Sequence, residues 1–182
     1  MRVFAGIAAT AILVAACGGT AAVSTPTPTT APTTAPTVAP TPVPTVANVF
    51  KADLKASNEN PPITDAEATC AGTATVTLNP TSVKFDVVIT GCPATTAINI
   101  GHIHTGAAGV NGGVIISTGL TAGELTLTGG GVTFSKTALP AGPPAWDAAL
   151  ITAIMANPSG YYVNFHSTAH GGGVIRGQLT KA

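Results

Sequence analysis

From residue 49 onward the chain is a succession of short runs in which apolar and polar residues alternate, broken every few residues by Gly, Pro or Asn. That period of two constrains the fold more than any other feature, because it puts the apolar side chains of a strand on one face. Residues 49–54 and 83–89 alternate, and residues 69–78 are rich in Thr and Val with small residues between them. Further strand-like runs are residues 97–105, 113–117, 124–127, 132–135, 161–166 and 174–179. Asn79-Pro80-Thr81-Ser82 reads as a hairpin connection. Eight or nine short strands predict an all-β Greek-key sandwich or barrel. One segment breaks the pattern: residues 146–156 carry apolar side chains at 146, 150, 151, 154 and 155, between Pro143-Pro144 and Asn157-Pro158. That spacing predicts one short helix over an end or face of the sheets.

The first 48 residues obey different rules. Met1-Arg2 and the small apolar run that follows are too short to span a bilayer and have the form of a signal peptide, residues 1–16. Val14-Ala15-Ala16-Cys17 resembles a bacterial lipobox, which makes Cys17 the lipidated first residue of the mature chain; an ordinary secretory signal is the alternative. Residues 17–48 form a tether. Between residues 20 and 47 the composition is dominated by Thr, Pro, Ala and Val, with no charge and no aromatic side chain to bury. Its recurrent prolines favour extended polyproline II, giving a reach on the order of 80 Å. Residues 49–182 are then one domain, large enough to bury a core.

Seven basic and seven acidic residues leave a formal net charge of zero, which argues against nucleic acid as a partner. With Cys17 assigned to lipid, Cys70 and Cys92 are the thiols left. Outside the cytoplasm they are expected to form a disulfide; a metal-binding thiol pair, not in CxxC spacing, is the weaker alternative.

Histidines carry the chemistry. His102 and His104 lie two apart in a strand-like run, so they point the same way with Cα atoms roughly 6.6 Å apart. His166 ends another such run, and His170 lies in the glycine-rich loop after it. Were His102, His104 and His166 to meet, they would supply three nitrogen ligands for copper or zinc, with His170 a possible fourth. The competing reading is structural hydrogen bonding within the sheet. Aligning the apolar faces of residues 161–166 and 174–179 sets Tyr162 across from Gln178, Asn164 from Arg176 and His166 from Val174. The result is a polar ligand face of Tyr162, Asn164, His166, Arg176 and Gln178. Arg176, in a charge-poor sheet, needs a fixed acceptor: a carboxylate or carbonyl within the domain, or an anionic ligand. Asn58-Glu59-Asn60-Pro61-Pro62 reads as a rigid turn from which Glu59 can reach Arg176, and Trp146 as a core anchor.

Four motifs occur in an order that resembles the CHRD (chordin) domain: residues 50–62, His102-Ile103-His104-Thr105-Gly106 with Gly109 and Asn111-Gly112, Tyr162-Val163-Asn164-Phe165-His166, and residues 172–179. The resemblance covers residues 50–181. It departs from the family where Gly171-Gly172-Gly173-Val174 stands in place of the usual Pro-Gly-Gly-Glu, so no role is carried over for that glutamate. The resemblance implies an all-β extracytoplasmic module, similar in general design to the copper/zinc superoxide dismutase sandwich with its His-x-His strand. That further likeness is one of fold and transfers no activity.

Three functions follow as expectations. The first is a non-catalytic binding or scaffold module, tethered to a membrane by its lipid and facing a protein or glycan partner at the cell surface. The second is copper or zinc binding through the histidines. The third, a copper-dependent redox enzyme, is disfavoured: there are only four histidines, none with an acidic neighbour in sequence, and there is neither a Gly-x-Ser-x-Gly elbow nor a carboxylate pair.

Overall fold

A computed structural model describes residues 48–182 of the chain. The expected signal peptide, the lipidated Cys17 and nearly all of the tether lie outside the described residues. Nine strands make one antiparallel sheet that curls into a nearly closed barrel or sandwich: β1 (Asn48–Lys55), β2 (Ala71–Asn79), β3 (Ser82–Thr90), β4 (Ile98–Thr105), β5 (Val114–Ser117), β6 (Val132–Ala138), β7 (Tyr161–Ser167), β8 (Ile175–Gln178) and β9 (Thr180–Lys181). Their order is β5-β4-β7-β8-β1-β2-β3-β6, with β9 also on β1. The crossovers after β3 and β6 set β7 and β8 between β4 and β1, so strands distant in sequence become neighbours. The all-β class with one helix is as expected.

Alternation explains one face directly. Phe50, Ala52 and Leu54 of β1, Ala74, Val76 and Leu78 of β2, and Val83, Phe85, Val87 and Ile89 of β3 all point inward and are buried. Each large apolar side chain contributes on the order of 2 kcal/mol by leaving water. Asn79 pairs with Ser82, so Pro80 and Thr81 alone make the turn between β2 and β3. Cys70 and Cys92 are joined in a disulfide across the open end of that hairpin.

Three details differ from expectation. Residues 124–127 are not a strand. The Glu124 carboxylate accepts from both the backbone N–H and the hydroxyl of Thr121, and Gly123 sits at φ +81°, so the chain turns at residues 122–123 and enters the segment bent. The helix α1 (Ala148–Ala156) begins two residues late, because the Asp147 side chain caps it by accepting from Leu150 N–H at 2.9 Å. Trp146 lies just before it, buried, with its backbone N–H on the Pro140 carbonyl. The last strand-like run, residues 174–179, is a strand only over β8, because the Leu179 N–H turns to the Tyr161 carbonyl, and β9 follows beyond it as a separate short strand. Short 3-10 helices at Ala56–Asn58, Ala66–Thr69 and Pro158–Gly160 carry no periodic signal.

The two halves of the sheet differ in what covers them. β1 and β3 bury one side chain in two, whereas β7 is buried at every position from Tyr162 to Ser167. The outer face of β4, β7 and β8 therefore lies under loops. Asn60 donates its amide to the Gly109 carbonyl and Asn111 donates back to the Asn60 carbonyl, pinning the loop after β4 to the loop after β1.

Candidate metal centre

The strand register composes the site. Across β4 and β7, His104 faces Tyr162, His102 faces Asn164 and Ile100 faces His166; across β7 and β8, Tyr162 faces Gln178 and Asn164 faces Arg176. Side chains two apart share a face, so His102, His104 and His166 meet on the covered side. One nitrogen from each lies within 4.8 Å of the others. The Nδ1 of His102 and the Nε2 of His166 are 3.2 Å apart.

Backbone carbonyls set the histidine tautomers. His104 Nδ1 is 3.0 Å from the Gly112 carbonyl and His166 Nδ1 is 2.9 Å from the Gly171 carbonyl. A carbonyl only accepts, so each Nδ1 carries the proton and each Nε2 holds a lone pair. The His104 Nε2 is buried and has no protein partner. Orientation of a ring by its second nitrogen is the outer-shell arrangement typical of metal-binding imidazoles. In His102, the proton that Nδ1 shares with His166 need only move to Nε2 for three lone pairs to converge.

Electrostatics keep the rings uncharged. His102 is pushed down to about 4, first by burial and then by the neighbouring His166 and His104. Burial also lowers His166, and it lowers His104 with added effects from His166 and the Arg176 guanidinium. Neutral imidazole is the form that binds a metal.

Arg176 organises the surroundings. It is 1% exposed and is the largest fully buried side chain. It donates from Nη1 to Asn111 Oδ1 at 2.8 Å and from Nη2 to the Val110 carbonyl at 3.0 Å, and its guanidinium lies 3.9 Å over the Tyr162 ring. The Tyr162 ring stacks on His104 at 4.9 Å and 8°, and the Gly112 N–H donates to its hydroxyl. Arg176 thus supports His104 from two directions, through its stacked neighbour and through the loop that carries the Gly112 carbonyl. That loop requires glycine at 112, where a Cβ would lie 1.7 Å from the Thr105 carbonyl oxygen. Gln178 donates to the Gly106 and Ser159 carbonyls, completing the expected polar face.

Other residues are drawn elsewhere. His170, the possible fourth ligand, does not join the cluster: its Nε2 is 3.0 Å from Asp65 and 3.6 Å from Glu67. The two acids lie at the start of the 3-10 helix Ala66–Thr69, over 100 positions away in sequence, so nothing local to His170 announces them. Four of the five remaining acids are also committed: Asp53 to Lys55, Asp86 to Lys84, Glu124 to Lys136, and Asp147 to the helix cap. A cavity of about 610 Å³ bounded in part by Asn58, Glu59, Arg176 and Gln178 includes none of the three clustered histidines in its wall.

Glu59 sits in the field of Arg176, but the guanidinium's hydrogen bonds go to Asn111 and Val110 instead. Burial raises the Glu59 carboxyl from 4.5 to about 7, against the lowering effects of Arg176 and the Asn164 amide. In that interval the native state retains a proton that the unfolded chain has released, so stability falls as pH rises from 4.5 to about 7. The expected loss is at most about 3 kcal/mol. Glu59→Gln should flatten this part of the urea-unfolding profile, and an unchanged slope would count against the assignment.

The CHRD domain model matches residues 50–179, while no curated protein and no solved structure matches the chain. This match, running from within β1 to the residue after β8 and taking in the three clustered histidines and Arg176, establishes that the chain belongs to the CHRD domain family.

Proposed function

We propose that this domain is a non-catalytic, extracytoplasmic binding module whose ligand is copper or zinc, held by His102, His104 and His166. The observation that carries the reading is the buried, unpartnered Nε2 of His104 beside two more imidazole nitrogens. A polar atom buried without a partner costs on the order of 1–3 kcal/mol, and a bound ion would remove that cost. Two backbone carbonyls already orient the rings, so little conformational entropy remains to be lost on binding. Family membership and the intramolecular disulfide are consistent with a location outside the cytoplasm.

Calorimetric titration of the full-length mature chain with Cu(II) and with Zn(II) tests the reading. Saturable uptake of one ion is expected, weakened by about 100-fold or more in a His102→Ala/His104→Ala variant. His170→Ala should bind as the parent does. A parent chain that produces no binding heat with either ion would end this reading. We further propose that a lipid on Cys17 holds the module at a membrane, on the strength of Val14-Ala15-Ala16-Cys17. Cys17→Ser should then move the chain from the membrane fraction to the soluble one, and retention in the membrane fraction would argue against the anchor.

A further inference from the structure

The three converging donors are uncharged, and among the described residues no carboxylate joins them. A copper or zinc ion held only by His102, His104 and His166 would keep its full double charge in a half-buried site. Carrying such a charge away from water without a counter-charge is costly. The cationic Arg176 adds to that cost, two stacking steps from His104 through Tyr162. Three nitrogens also fall one short of the four ligands that zinc takes in a tetrahedral site. Neither remaining candidate in the domain supplies the fourth: His170 is held by Asp65 and Glu67, and the thiols of Cys70 and Cys92 are joined to each other.

We propose that the loaded centre binds one exogenous anion, a small inorganic ion or the carboxylate end of a larger molecule, at a position left open by the three histidines. The inference rests on the metal reading above and identifies what that site takes from solution. Exposure gives the direction of approach. His104 and His166 are buried whereas His102 is half-buried, so a ligand enters beside His102. The anion displaces a water and neutralises one of the ion's two charges, without a bond change in the protein.

Azide is a suitable probe. The full-length mature chain is loaded with Cu(II), occupancy is verified by electron paramagnetic resonance, and azide is added. The expected result is a saturable change in the copper hyperfine pattern together with a new azide-to-copper charge-transfer band. Acetate should suppress that band if carboxylates share the position. A loaded chain whose spectra stay unchanged through tens of millimolar azide would overturn the inference while sparing the metal reading. A response that appears only in His170→Ala would also overturn it, since His170 would then be completing the coordination. A chain that takes up no Cu(II) would remove both.

Discussion

Arg176→Met is expected to lower the unfolding free energy by about 3–6 kcal/mol, the loss of two hydrogen bonds from a charged donor at about 1.5–3 kcal/mol each. Methionine keeps most of the aliphatic stem, so the loss falls on the guanidinium. Asn111 Oδ1 and the Val110 carbonyl would each lose a donor, and the Tyr162 face would lose its cation. Glu59 limits the damage, because its carboxyl is already raised to about 7 and can protonate once the positive charge has gone. Guanidinium chloride unfolding of the parent, Arg176→Met and the Arg176→Met/Glu59→Gln double variant measures the effect. The double variant should be no less stable than Arg176→Met at pH 8, where the carboxylate is otherwise unpaired. Arg176→Lys should recover only a minor part, since an ammonium cannot reproduce the two-pronged bond or the stacking. The same substitution should weaken metal uptake, because the loop carrying the Gly112 carbonyl loses its hold. A cost below about 1 kcal/mol for Arg176→Met would show that the guanidinium does not hold the covered face together.

Replacing both Cys70 and Cys92 by Ser should cost about 3 kcal/mol, the chain-entropy value for a loop of this size. The two residues are 22 apart and flank β2 and β3, which already pair from Ala71–Thr90 to Asn79–Ser82. The native hairpin therefore changes little, and the effect acts chiefly by enlarging the unfolded ensemble. There is a local part as well. The Cys70 carbonyl accepts from Ala56 N–H and Cys92 N–H donates to the Gly130 carbonyl, so loosening this end frees two connecting segments. Thermal unfolding of the double variant beside the oxidised and reduced parent separates the contributions. The reduced parent and the variant should unfold together, and both below the oxidised chain. Equal midpoints for all three would mean that the bond adds nothing to stability.

Much of this was legible in the residues. Alternation in β1 and β3 encodes a single buried face, and the polarity of β7 against β8 was enough to place Tyr162 across from Gln178 and Asn164 across from Arg176. The His-x-His spacing on β4 likewise follows from the two-residue repeat. What alternation does not contain is what covers the opposite face. The links from Asn60 to Gly109 and from Arg176 to Asn111 span 49 and 65 positions, and they bury a polar row that the pattern alone would leave in water. The pairing of His170 with Asp65 belongs to the same class, as does the role of the Gly112 carbonyl, which no side chain announces. Residues 124–127 illustrate the opposite error. Their composition suits a strand, yet one carboxylate capturing the Thr121 N–H and hydroxyl diverts the backbone before a ladder can form.

The short β9 has a mechanical consequence. Phe50 pairs with Lys181 and Lys51 with Thr180, and the Ala182 N–H donates to the Val49 carbonyl, so both ends of the folded domain leave side by side. A load pulling residue 49 away from residue 182 meets these antiparallel bonds one after another, like a zipper, and never in parallel shear. The strand termini would then peel at low force while the histidine-bearing strands, several pairings away, stay intact, sparing the site the strain.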